Sequence, residues 1–219
     1  MVPGPTFIHK CTTCGNLLTK QSSRSGNTFG ATIYSDGKVI APSNREFPLI
    51  TKCSKCEQIL WLGGDNYTGI ESEYFIREYE GVAVEESRFL TINEYVQAAE
   101  NGIFSNVHEE IFIRRRIWWE FNHRVQEGSS FFKSESEKLI WLANINRLIE
   151  IFDPADVYQR ICIAELNRHL GNFEACMEII NNLDDSPEWD RYKAYYAEEC
   201  EKKSTKVFIL DSFFNLRKF

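Results

Sequence analysis

Two short cysteine pairs, Cys11-Thr12-Thr13-Cys14 and Cys53-Ser54-Lys55-Cys56, restrict what this chain can fold into more than any other feature. Two cysteines separated by two residues share one tight turn and aim both sulfurs at one point. Two such turns supply the four thiolates of a closed tetrahedral site. Cys11, Cys14, Cys53 and Cys56 are therefore expected to hold a structural zinc ion, with a rubredoxin-like iron centre left open by the same ligand set. A thioredoxin-type redox pair fits less well, because two pairs are present and neither precedes a helix in a βαβ pattern. Gly15 after the first pair can take the positive φ that such a turn often needs, whereas the second pair is followed by Glu57. His9, two residues before Cys11, is a further metal-binding side chain, but four cysteines already fill a four-coordinate site.

The 38 residues between the pairs exceed the roughly 15–20 of a compact ribbon, so something must occupy the excess. Residues 28–41 read as a hairpin, with Thr32-Ile33-Tyr34 and Lys38-Val39-Ile40 flanking Ser35-Asp36-Gly37. Closing a long loop around a metal is tolerable, because loop entropy grows only logarithmically with length. This places a small β-rich metal domain over residues 1–62.

The rest of the chain reads mainly as helix. Residues 63–90 open on a Gly63-Gly64-Asp65-Asn66 turn and interleave Glu71, Glu73, Glu78, Glu80, Glu85 and Glu86 with Tyr74, Phe75, Ile76 and Tyr79. The carboxylates follow no fixed spacing and lack a nearby histidine, so the segment is expected to be a packed connector with a solvated acidic face. From residue 91 to 203 the apolar period is helical. Thr91 with Glu94 forms a capping box, and Gly102 ends that helix. The next helix, from Asn106 to about Glu127, carries Val107, Ile111, Trp118, Phe121 and Val125 as its stripe, with Arg114 inside it. Arg114 is expected either to reach out to solvent or to meet a carboxylate. Ser134 with Glu137 caps a third helix, Asp153-Pro154 a fourth, and Ser186-Pro187 a last one. Gly171-Asn172-Phe173 lies between two amphipathic helices with the small residue Cys176 shortly after, similar to one tetratricopeptide helix–turn–helix unit. A single unit cannot form a solenoid, so a compact bundle is expected. The tail, residues 204–219, is apolar enough (Phe208, Leu210, Phe213, Phe214, Phe219) to dock on a surface.

The segments Ser25-Gly26-Asn27-Thr28-Phe29-Gly30-Ala31, Ser35-Asp36-Gly37-Lys38 and Ala41-Pro42, followed by Trp61, carry a resemblance. Leu90-Thr91, Trp118-Trp119 and Leu170-Gly171 extend it. Together they resemble an uncharacterised family of bacterial cytoplasmic proteins with a paired-knuckle N-terminal domain, of zinc-ribbon or rubredoxin type, and a helical, tetratricopeptide-like C-terminal half. The resemblance implies fold and metal, and no activity. Thr12, Ser54 and Glu57 depart from the pattern of proline inside and glycine after the knuckles.

Composition bounds the function. No apolar run approaches the ~20 residues of a membrane span. Seven cysteines, four of them committed to metal, fit a reducing cytoplasm better than a disulfide framework, and Cys162, Cys176 and Cys200 read as small buried hydrophobes. Residues 1–60 carry a formal +4 and the remainder −11. Lys10, Lys20, Arg24, Lys38, Arg45, Lys52 and Lys55 are scattered along the chain, so specific nucleic-acid binding is not expected. No phosphate-binding glycine loop, G-x-S-x-G elbow or H-E-x-x-H helix is present, and no catalytic or organic-cofactor-binding residue is assigned. The fold class read from the sequence is α+β: a zinc ribbon followed by an all-α bundle with a tetratricopeptide-like hairpin. The expected function is a non-enzymatic interaction module, its partner a protein of unknown identity. A nucleic-acid-associated ribbon protein is the alternative.

Overall fold

The computed structural model describes residues 2–70, 82–126, 128–184 and 186–210. The fold is mixed α+β and forms two compact units, one of Met1–Phe29 with Ala41–Ile103 and one of Gly30–Ile40 with Phe104–Phe219.

In the first unit, β1 (Val2–Pro3) pairs antiparallel with β4 (Ser23–Ser25). A four-stranded sheet has the order β10 (Val84–Glu86), β3 (Leu17–Lys20), β2 (Phe7–Lys10), β9 (Tyr67–Ile70). β7 (Ile50–Lys52) and β8 (Ile59–Trp61) form a separate hairpin. Ile8, Leu17, Leu18 and Leu60 fill the interior, as expected of strands with one face turned inward. Helix α1 (Ile92–Glu100) belongs here and not to the later helices. Its Thr91–Glu94 capping box forms as the sequence predicts. Arg88 grips Glu94 bidentately at 2.7 and 2.8 Å and holds that carboxyl down at about 2. Trp61 donates its indole N–H to the Ile103 carbonyl at 2.7 Å, fastening the end of α1 to the β8 hairpin.

The second unit contains α2 (Val107–Gln126), α3 (Glu135–Ile151), α4 (Val157–His169), α5 (Phe173–Asn181) and α6 (Pro187–Glu201). With them goes a three-stranded sheet in the order β11 (Ile209–Leu210), β5 (Thr32–Tyr34), β6 (Val39–Ile40). The Asp-Gly hairpin therefore forms where the sequence places it, but it belongs to the second unit and not to that of the cysteine pairs. Ile33 enters the core with Ile161, Ala164, Cys176, Ile180, Tyr192, Tyr196 and Leu210. Ser35 and Asp36 are buried with polar partners on the helices, so the hairpin's stabilising contacts lie in this unit.

Gly171, at φ +81°, turns α4 back onto α5, and the small Cys176 is fully buried at their contact. One cap differs from the reading of the sequence. Asp156, not Asp153, caps α4, accepting from the N–H groups of Tyr158 and Gln159 at 3.0 and 2.9 Å. Asp153 instead accepts from Ala155 in the preceding turn at 2.9 Å, because the chain needs a full turn after Pro154 to reverse. Arg114 meets a carboxylate: Glu110 binds both Arg114 and Arg147 at 2.8 and 2.9 Å. Cys162, Cys176 and Cys200 are buried, and burial pushes the Cys162 thiol up to about 11, so it behaves as a small apolar group. Among the described residues, no helix is long and apolar enough to cross a membrane. Glu71 to Glu80 of the acidic connector, and Phe213, Phe214 and Phe219 of the tail, lie outside the described residues.

Candidate metal centre

Each cysteine pair forms the turn of a β-hairpin. β2 and β3 stay in register to Lys10↔Leu17 and hold Cys11 to Asn16 between them; β7 and β8 stay in register to Lys52↔Ile59 and hold Cys53 to Gln58. The two turns repeat the same bonds. Cys11 N–H donates to Asn16 and Gly15 N–H returns to Cys11, at 2.8 and 2.9 Å. Cys53 N–H donates to Gln58 and Glu57 N–H returns to Cys53, at 2.9 and 2.8 Å. Gly15 sits at φ +75° and Glu57 at φ +61°, so the second knuckle has the same backbone as the first, with a side chain in a conformation that favours glycine.

The four sulfurs lie within 4.8 Å of one another, and the Cys11–Cys56 and Cys14–Cys53 separations are both 3.6 Å. A tetrahedral ion with metal–sulfur bonds near 2.3 Å requires sulfurs about 3.8 Å apart, close to those two separations, so the donor set suits one such ion. The thiols also divide electrostatically. For Cys53 burial opposes ionisation, but N–H groups of Cys56 and Lys55 and the facing thiols outweigh it and bring the group down to about 7. For Cys56 the Gln58 N–H favours the thiolate, but burial and the other three sulfurs prevail and push it up to about 12. A first thiolate forms readily and further ones repel it, which is charge that a cation would neutralise.

Residues beyond the cysteines hold the centre together. Glu85, in β10, accepts from Asn16 Nδ2 at 2.8 Å, from Ser54 Oγ at 2.8 Å and from Ser54 N–H at 3.2 Å. One carboxylate thus bridges the two knuckles, and Asn16 also donates to Cys53 Sγ at 3.7 Å. Parallel pairing of β10 with β3, with Glu85 opposite Leu18, sets this position. The sequence reading places Glu85 among solvated carboxylates, since nothing local distinguishes it from Glu86. His9 is not part of the cluster: its Nδ1 faces Asn66 Oδ1 at 2.9 Å, and burial lowers its pKa.

The second unit holds a buried charged network that the sequence reading also passes over. Glu165 accepts from Ser35 Oγ at 2.5 Å, from Arg168 Nε and Nη2 at 2.8 and 2.6 Å, and from His169 Nε2 at 2.9 Å. The Trp118 indole can only donate, so at 3.2 Å it makes His169 Nδ1 an acceptor and leaves the ring proton on Nε2, facing Glu165. Burial alone would push Glu165 up, but the His169 and Arg168 contacts outweigh it and hold the carboxyl below its ordinary range. Arg168 also donates to the carbonyls of Ser204 and Lys206 at 2.5 and 2.8 Å, tying the segment before β11 to α4. Asp36 receives Asn122 Nδ2 at 2.7 Å, and burial raises its pKa. The i, i+3, i+4 spacing of Glu165, Arg168 and His169 on one helix face was the available signal. Every member is engaged within the chain, which suits a structural role.

Comparison with protein-family models, with curated proteins and with solved structures returned no match for this chain.

Proposed function

We propose that the chain is a non-enzymatic protein-interaction module whose first unit is a zinc ribbon held by a structural ion on Cys11, Cys14, Cys53 and Cys56. The observation that carries this reading is the closure of the site: four cysteine sulfurs within 4.8 Å leave no coordination position for a substrate. Zinc is favoured over iron as the usual occupant of a closed four-thiolate structural site. The α4–Gly171–α5 hairpin, with its buried Cys176, supports a tetratricopeptide-like packing of the second unit.

Exposed apolar side chains support interaction over catalysis. The first unit leaves Phe29, Tyr67, Ile70, Val82, Val84 and Phe89 exposed, Phe29 at 89%. Tyr67 and Ile70 lie on one edge strand of the four-stranded sheet and Val84 on the other, so they are separate contact positions. Two basic residues of this unit are drawn into internal contacts, Lys52 lying 3.8 Å from both Glu57 and Glu94 and Arg88 on Glu94, which leaves fewer to converge on phosphates. The test is cross-linked co-purification using the full chain and a Phe29→Glu/Tyr67→Glu variant of unchanged circular dichroism. A stoichiometric protein partner retained by the first and lost by the second is expected. Equal retention by both, or nucleic acid retained at 150 mM salt, would contradict the reading.

A further inference from the structure

The second unit contains a cavity of about 490 Å³, within the size range of small-molecule sites. Its apolar wall is formed by Val125, Phe131, Phe132, Trp141 and Val207. The rings of Phe131, Phe132 and Trp141 meet edge to face at centroid distances of 4.7 to 5.6 Å, a preferred aromatic arrangement that fixes the wall's shape. Trp141 is 6% exposed, and its indole N–H is itself buried, so the ring offers the cavity an apolar surface.

The polar lining narrows what the cavity takes. His169 contributes no base, because Trp118 and Glu165 engage both of its ring nitrogens. Asn122 spends its amide N–H on Asp36. Lys206 stands exposed at the lining, and its backbone carbonyl is fixed by Arg168 at 2.8 Å. We propose that this cavity binds a flat aromatic carboxylate. Its ring would lie against Phe131, Phe132 and Trp141, and its carboxylate would supply a counter-charge for Lys206. This is a binding site, with no reaction proposed for it. It would give the second unit a ligand-sensing role separate from the metal centre.

The test is isothermal titration of the full metal-loaded chain with 2-naphthoate, with 2-naphthylmethanol as the uncharged control. Saturable binding of one naphthoate per chain is expected, at least about threefold tighter than the alcohol. Val125→Trp fills the cavity and should weaken binding more than about tenfold. Lys206→Gln, at an exposed position that leaves folding intact, should abolish the preference for naphthoate over the alcohol. The proposal is overturned by no saturable binding up to about 1 mM, by equal affinity for acid and alcohol in the parent chain, or by a folded Val125→Trp variant that binds as well as the parent. Should Val125→Trp fail to fold, the Lys206→Gln comparison decides.

Discussion

Replacing Glu165 with glutamine tests the polar interior of the second unit. Glu165 and Arg168 are both 0% exposed, and the carboxylate accepts from three residues at 2.5 to 2.9 Å. Glutamine has almost the same shape but one carbonyl oxygen and one NH2. Its best placement puts the oxygen toward Ser35, His169 and Arg168 Nη2, leaving the NH2 against the Arg168 Nε donor. Arg168 is then a buried cation with no counter-charge, the situation that costs about 3–5 kcal/mol when one partner of a buried pair is removed. Against a typical stability of roughly 5–15 kcal/mol, that is a large fraction. Adding Arg168→Met removes the stranded charge but orphans the Ser204 and Lys206 carbonyls, so rescue should be partial. Urea unfolding followed by far-ultraviolet circular dichroism at pH 7 measures both. The pH dependence has a definite sign. The folded pKa of Glu165 lies below the ordinary 4.5, so its contribution is complete above that pH and is lost as pH falls through the folded value. Glu165→Gln should therefore lose most at neutral pH and converge with the parent in acid. A loss under about 1 kcal/mol at pH 7 would refute the claim that this network organises the unit.

Three further substitutions probe local geometry. Glu57→Gly relieves a side chain at φ +61° and should raise the first unit's stability by about 1 kcal/mol in chemical unfolding, since the Lys52 contact it removes is at the surface. Glu85→Ala unties the two knuckles and should lower metal affinity about 10–100-fold in chelator competition, with the cysteines untouched. Asp156→Ala removes the cap of α4 and should cost about 1 kcal/mol in urea unfolding, while Asp153→Ala should cost less.

What the sequence made legible follows the range of the interactions. The cysteine turns are local, so C-x-x-C spacing suffices to name the four sulfurs that meet. The Ser35-Asp36-Gly37 turn and the Thr91–Glu94 cap are likewise set within a few residues. The hairpin's destination is not: Ser35 finds Glu165 at a separation of 130 residues, and no periodicity near Ser35 carries that information. Glu85 is hidden for the same reason, since its role depends on β10 pairing parallel with β3. Asp153 and Asp156 both precede the helical pattern, and only the length of the turn after Pro154 decides between them. Glu57 departs from the glycine found after the first pair, yet takes its conformation because the Glu57 N–H to Cys53 bond closes the turn.

The zinc site proposed for Cys11, Cys14, Cys53 and Cys56 is open to a chemical test. Elemental analysis of the full chain, purified without chelator and compared with Cys53→Ser, tests it most directly. About one zinc per parent chain and a substantial loss in the variant are expected, with release by a thiol-modifying reagent tracking four cysteines. Iron in place of zinc, no bound metal in the parent, or full zinc retention by Cys53→Ser would contradict it.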